Sequence, residues 1–593
     1  MHLSRLPVPL LSLCLAGCTA AGPQPAAPIP DPHAVLPPVA VERGLPKVTL
    51  DSVLQSLSVR EKVGQLVMPW LIGSYSALDG EALDATMTAI DSFGVGGIIV
   101  SVGSPLDVAA KLNLLQRRSR LPLLIAADLE WGAGMRLQGG TAFPMPMAIG
   151  ATDNTLDAYE MGRITALEAR AVGIHLTFSP VADVNNNPAN PIINTRSFGE
   201  DARTVGRLIA SYIRGAEEHG LRTTAKHFPG HGDTGTDSHI SVPVAPGCWT
   251  RLDTLELEPF RAAIRAGVTA IMTAHITLPC LGGDDSVPAT PATLLPAVMT
   301  GILRDSLAFR GLVVTDALLM GAIVERFGAG ETAVLALLAG SDLLLMPSDI
   351  AAALDAAVTA VRSGRISEQR LDRSVRRMLR LKADLGLFAR RTVPLDSVMA
   401  VVGRRAHQDV ADDIARRALT LVQRGRLDDL RATRGRVALV IYAEETNLTF
   451  GHLLVRELRT LGDTVTMFRI YPASGALSYD SARAIIADAP RTIFASSVRP
   501  IAWRGHVALP DSLADLILET DATRTTVLVS FGSPYLLGQL PAYDGAYLIA
   551  WSASLATERA VAHALAGGAP IIGRLPITLS PEHPRGFGIR ITQ

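Results

Sequence analysis

Between residues 48 and 390 the chain alternates short, mainly apolar runs with longer stretches in which apolar positions recur every three or four residues. The short runs are Leu66 to Trp70, Val95 to Ser101, Leu123 to Ala127, Leu176 to Pro180, Arg222 to Lys226, Val268 to Ala274, Leu312 to Asp316 and Asp342 to Met346, and they read as strands. The stretches between them, such as PLDVAAKLNLLQRRS and LDTLELEPFRAAIRAG, read as amphipathic helices. Eight β units alternating with helices predict an α/β fold, a (β/α)8 TIM-like barrel over residues 48–390, with a doubly wound open sheet as the alternative.

A second pattern of the same kind starts near Ala400. RRALTLVQ, VALVIYA, TIFASS, TTVLVSFG and AYLIAWSAS are separated by helical patterns, which predicts a smaller α/β/α sandwich over residues 400–593. It carries no glycine fingerprint for a dinucleotide, and the two blocks share no internal repeat.

The beginning of the chain departs from both patterns. MHLSRLPVPLLSLCLAGC places Arg5 before an apolar core from Leu6 to Leu15 and small residues before Cys18, the form of an export signal over residues 1–18. LAGC resembles the bacterial lipobox, which implies that Cys18 is lipidated and becomes the first residue of the mature protein. Thr19 stands where an aspartate would retain the protein at the inner membrane, so in a Gram-negative cell the expected address is the periplasmic side of the outer membrane. Residues 19–47, rich in proline and alanine, read as an extended tether. No later apolar run reaches transmembrane length.

Composition adds exclusions. With 48% hydrophobic and 19% charged residues the chain has material for large cores. A formal net charge of −1 and the lack of a long basic run exclude nucleic acid as a partner. Of four cysteines, Cys14 and Cys18 belong to the signal; Cys248 and Cys280 remain, able to pair in an oxidising compartment but too few for a cysteine metal site.

Polar residues cluster directly after the predicted strands, in LLIAADLE, FSPVADVNNN, TTAKHFPGHG, IMTAHI and VVTDALLM, and barrel active sites lie at those C-terminal strand ends. The richest cluster is AKHFPGHGDTGTDSH, residues 225–239. A phosphate cradle needs its lysine after the glycines, whereas Lys226 precedes them. A metal site has competent ligands in His227, His231, Asp233, Asp237 and His239, but a glycine-rich loop lacks the fixed spacing of a helical H-E-x-x-H. A third reading couples Asp237 to His239, the carboxylate fixing the tautomer of an imidazole that moves a proton. Asp316 closes the apolar run GLVVTD, where it either caps a helix or projects into the barrel mouth as a nucleophile. A carboxylate opposed to an acid/base group is what retaining glycoside hydrolysis requires.

With these residues placed, nearly the whole mature chain resembles glycoside hydrolase family 3, in its bacterial β-N-acetylhexosaminidase branch. KHFPGHGDTGTDSH matches that branch's signature. The resemblance implies that Lys226 and His227 bind sugar, that His239 is the acid/base with Asp237 as its dyad partner, and that Asp316 is the nucleophile. DLEWGAGMR and NPANPIINTRSFGED imply sugar-hydroxyl contacts from Asp128, Arg136 and Arg196. Trp131 and Ala133 interrupt a more usual glycine-rich run, and Thr315 and Ala317 flank the nucleophile, which puts substrate detail in question.

The implied protein is a retaining exo-β-N-acetylglucosaminidase of two domains. It would use no cofactor or metal and act as a monomer on GlcNAc-containing oligosaccharides or muropeptides from the cell wall. Glu444 and Glu445 are rival acid/base candidates from the second block, read as solvated, while GRLPITLS resembles that domain's closing strand. A neutral histidine repels anions less than a carboxylate does, so phosphate could replace water as acceptor. The competing readings are a β-glucosidase or other exo-glycosidase of the same fold, a barrel metallohydrolase, and a silent wall-binding lipoprotein.

Overall fold

The computed structural model describes residues 50–592 apart from 78–79, 238–241, 247–248, 280–289, 433 and 502–506. Cys18, the tether, the Cys248 and Cys280 pair and His239 lie outside the described residues.

The first nine strands are β1 (Val67–Met68), β2 (Trp70–Leu71), β3 (Gly97–Val100), β4 (Leu124–Ala127), β5 (Leu176–Thr177), β6 (Arg222–Phe228), β7 (Ala270–Thr273), β8 (Leu312–Val314) and β9 (Leu344–Leu345). Strands β2 to β8 form a seven-stranded sheet in sequence order, parallel throughout, and β1 pairs with β9. Pro69, which has no N–H to donate, separates β1 from β2 within one extended run. A parallel bridge from Val314 to Leu343, with the Thr315 amide donating to the Leu343 carbonyl at 3.0 Å, joins β8 to the approach of β9 and closes the ring. Each of the eight predicted runs contains a strand of this barrel. The order never reverses, so the doubly wound alternative does not apply to this sheet.

Period-two geometry explains why these strands read as continuous apolar runs. Met68, Ile99, Leu124, Ala126, Met272 and Val314 belong to one buried cluster inside the ring. Their neighbours Ile98, Ile125, Ile271 and Val313 belong to the larger core shared with the helices. The helix Pro105–Arg118 illustrates how the shell is made: Ser104 caps it by accepting from the Asp107 amide, and Val108, Leu112 and Leu115 form its buried face.

The sandwich contains β10 (Thr420–Gln423), β11 (Arg436–Tyr442), β12 (Thr464–Ile470), β13 (Arg491–Ser496), β14 (Thr525–Ser530) and β15 (Ala546–Ile549). Their spatial order is β10-β15-β14-β13-β11-β12, parallel except for β10 against β15. The chain leaves β11 toward the β12 edge and returns on the other side as β13, so the order reverses between β11 and β13. β12 escaped the sequence pattern because TVTMFRI is an edge strand with mixed exposure and no continuous apolar run.

Barrel and sandwich share one seam. Residues 573–580, expected as a closing strand, form no ladder there: the Arg574 amide donates to the Ala151 carbonyl (3.1 Å) and the Glu200 amide to the Pro576 carbonyl (3.2 Å). Pro576 cannot donate, and Glu200 instead takes the amide and hydroxyl of Thr578, both at 2.7 Å. Asn185 adds a bond to the Tyr535 hydroxyl at 2.9 Å. A Cβ on Gly199 would stand 2.7 Å from the Pro576 carbonyl oxygen, so backbone meets backbone at this point.

Asp342, at the head of the last barrel strand, is fully buried and accepts from Arg304 (2.6 Å), Arg377 (3.0 Å), the Val313 amide (3.0 Å) and Ser374. It ties the closing strand to the final helices. Replacing it strands a buried guanidinium, so Asp342→Ala is expected to lower unfolding free energy by about 3–5 kcal/mol, measured by urea denaturation.

Candidate active site

A cleft of about 600 Å³ opens at the C-terminal ends of the barrel strands, and the sandwich forms its other wall. Asp128, Arg136, Arg196, Lys226, His227 and Asp316 all line it. Asp237, only 1% exposed, lies near the end of the described part of the β6 loop, beyond which His239 lies outside the described residues.

Lys226 is the centre of the barrel side. It is 3% exposed and donates to Asp128 Oδ1 at 2.9 Å while pairing with Glu130 Oε1 at 2.8 Å. Glu130 also accepts two bonds from Arg196, at 2.9 and 2.8 Å, and Arg136 donates to Asp128 at 3.1 Å. Burial alone would raise both carboxyls, but Lys226 and Arg136 hold Asp128 below its ordinary range, and Arg196 with Lys226 holds Glu130 well below. Burial would conversely draw the Lys226 ammonium down, and the same two carboxylates raise it instead. Asp128, Glu130 and Lys226 are therefore charged at neutral pH.

Lys226 and His227 are consecutive, yet both line the cleft. Neighbours in a regular strand point to opposite faces; here the β6–β7 register shifts between Ala225 and Phe228, which breaks the alternation. Asp183, 0% exposed, fixes the chain from His227 to His231. It accepts from His227 Nδ1 at 2.7 Å, from the His227 amide at 3.2 Å and from the His231 amide at 2.7 Å. With Nδ1 turned inward, His227 presents Nε2 toward Arg196 Nη2, 3.5 Å away.

Asp316 follows β8. Its amide donates to Thr273 Oγ1 at 3.3 Å, and its Oδ1 accepts from the Ala317 amide at 2.8 Å. Burial would raise this carboxyl, but His275, His227, the Ala317 amide and Lys226 outweigh it and hold it low, so it is ionised as a nucleophile must be. Thr315, flanking it, accepts the Leu345 amide at 2.9 Å and braces the strand end.

Sequence reasoning passed over Glu130 and Asp183. Glu130 stands two residues after Asp128, a spacing that places both on one side of an extended segment, and Asp183 lies inside the polar cluster FSPVADVNNN, so each had a legible signal. Trp131 lines the cleft, as does His231, whose ring lies 5.9 Å from that of His227. Burial and the His227 charge push the His231 imidazole down to about 4. Its Nδ1 pairs with Thr234 Oγ1 at 2.6 Å, and Asp233 pairs with Arg251 at 2.5 Å, so two candidate metal ligands are engaged elsewhere. Among the described residues no group of three or more histidine, cysteine, aspartate or glutamate side chains is placed to hold a metal ion. Thr446 and Asn447 reach the cleft wall, whereas Glu444 and Glu445, just before them, do not line it.

Comparison with known proteins gives the geometry a context. The N-terminal domain of glycosyl hydrolase family 3 matches residues 58–381, more than half of the chain. A β-N-acetylglucosaminidase/β-glucosidase of Cellulomonas fimi is 33% identical over 377 residues, 63% of this chain and 66% of that protein, so a little under two thirds of the relative is spanned. The solved structure of a glycoside hydrolase family 3 β-N-acetylglucosaminidase from a Paenibacillus species superposes with a TM-score of 0.79 at 34% identity, over 88% of this chain and 99% of that one. The β-glucoside phosphorylase BglX superposes with a TM-score of 0.81 at 28% identity, over 89% and 96%.

Beneath the β6 loop lies Glu256, whose two carboxyl oxygens are buried without a hydrogen-bond partner. Burial, reinforced by the Asp183 and Asp233 charges against Arg251 and Asn186, pushes its pKa up to about 8. The folded chain thus keeps a proton that the unfolded chain releases near the ordinary glutamate value, and this group's contribution to stability is lost as pH rises from there to about 8. Glu256→Gln cannot titrate. Its melting temperature relative to the parent is expected to climb between pH 5 and pH 8 (about the interval between the two pKa values), read by thermal scans, and to level off above.

Proposed function

The chain belongs to glycosyl hydrolase family 3, and from that membership we propose that it is a retaining exo-β-N-acetylglucosaminidase. Its substrates are terminal β-linked GlcNAc residues on peptidoglycan-derived fragments. The observation that carries this reading is the ionised Asp316 carboxylate in a cleft whose barrel wall is a fully charged Asp128–Glu130–Lys226–Arg196 network.

Those charges and their remaining donors hold and orient a sugar ring against Asp316. Asp316 attacks the anomeric carbon as His239, oriented by Asp237, gives its proton to the departing oxygen. His239 then takes a proton from water, which releases the sugar and frees Asp316. The similarity to the Cellulomonas fimi and Paenibacillus proteins supports the GlcNAc preference. The export signal and LAGC motif support a lipid anchor on Cys18 and, in a Gram-negative cell, a place on the periplasmic side of the outer membrane.

Asp316→Asn is expected to abolish release of aryl aglycone from aryl β-N-acetylglucosaminides, and a fluorinated GlcNAc analogue is expected to label Asp316 in the parent, read by peptide mapping. His239→Ala should cost about 10²–10⁴ in kcat. Label on another residue would overturn the mechanism, and preference for aryl glucosides would overturn the substrate.

The likeness to a β-glucoside phosphorylase favours a second acceptor beside water. A neutral imidazole repels an approaching anion less than a carboxylate would. Sugar 1-phosphate is expected among the products at high phosphate, and its absence from the chromatogram would limit the enzyme to hydrolysis.

A further inference from the structure

The sandwich half of the cleft gathers its polar groups where an open parallel sheet binds ligands. In such sheets the binding crevice lies beyond the carboxyl ends of the strands, at the point where strand order reverses. That reversal falls between β11 and β13. Thr446 and Asn447 follow β11, Arg499 follows β13, and all three line the cleft that also contains Asp316. Two sheets therefore point their ligand-binding ends at one space.

The charges on this wall differ from those on the barrel wall. Arg136, Arg196 and Lys226 are each held by Asp128 or Glu130. Arg499 is an exposed cleft residue that makes no hydrogen bond or ion pair among the described residues. Partial enclosure by the cleft wall draws its guanidinium below the ordinary arginine value, and the Glu444 charge opposes that only in part. Near the end of β15, Ser552 lines the same cleft at 8% exposure, and its buried hydroxyl has no hydrogen-bond partner. Ser554, also on the wall, caps the helix Leu555–Leu565, whose positive end thereby faces the cleft. An uncommitted guanidinium, an unpartnered hydroxyl and a helix N-terminus together complement an anion.

We propose that the sandwich wall is an anionic subsite in which Arg499 and Ser552 bind a carboxylate carried by the group on the leaving side of the scissile bond. This rests on the β-N-acetylglucosaminidase reading. GlcNAc itself carries no carboxylate, and the barrel wall that receives it already holds its own carboxylates, so the anion belongs to the aglycone. The subsite makes the enzyme prefer acidic leaving groups, and Arg499 sets that specificity without entering the chemistry.

The test compares para-carboxyphenyl and para-carbamoylphenyl β-N-acetylglucosaminides, nearly isosteric and differing in charge. The ratio of their kcat/KM values, carboxylate over amide, is expected to fall about tenfold in Arg499→Gln, the effect of one charged hydrogen bond, and to recover partly in Arg499→Lys. The variant's own ratio corrects for the intrinsic reactivity of the two phenols, and a thermal scan establishes that it folds. A ratio that is the same in parent and variant would overturn the subsite, as would one that responds only to added inorganic phosphate, which would make the occupant a free anion. Calorimetric binding of both glycosides to Asp316→Asn reads the same discrimination without turnover. Failure to cleave either glycoside would thus count against the proposed reaction, while the binding ratio still decides the subsite.

Discussion

A lysine ammonium enclosed at the mouth of a barrel is the constraint on which the whole site depends. Isolated, such a charge would cost several kcal/mol or lose its proton. Lys226 keeps it because Asp128 and Glu130 flank the nitrogen, and two carboxylates around one cation then call for Arg136 and Arg196 in turn. The network closes on itself with donors to spare: an ammonium has three and a guanidinium five, more than these partners use. What stabilises the fold at this point is also a fixed set of donors facing the cleft.

Asp183 extends the same logic to the loop after β6. One buried carboxylate takes a ring nitrogen and two backbone amides, so it positions His227 and the course of the chain toward His231 together. The shifted register of β6 makes this possible, since a regular strand would have turned either Lys226 or His227 away. Asp316 is set by a comparable economy: the Thr273 hydroxyl accepts its amide and the Ala317 amide donates to its carboxylate.

The barrel was legible because its strands are buried on both faces, which leaves a continuous apolar signature such as GIIV or LIAA at regular intervals. The edge strand β12 left no such trace, since its residues are variously exposed, half-buried and buried. Within the site, Asp316 and the β6 loop stood out because polar residues directly after apolar runs are conspicuous. Asp183 and Glu130 carried the same signal but no motif, and their weight appears only when three-dimensional pairing joins them to His227 and to Arg196. Arg499 and Ser552 were illegible for a different reason: their importance comes from strand order in the second sheet, which no local window contains.

That the cleft is walled by two sheets has a consequence for how such an enzyme can diversify. The ionic cluster around Lys226 is coupled, so exchange of any member disturbs the rest. The residues beyond β11, β13 and β15 have no share in that cluster and sit on loops carried by a separate sheet. Selection can therefore rewrite one wall while the other stays invariant, so that descendants of one ancestral chain keep their chemistry and diverge in the company their substrate keeps.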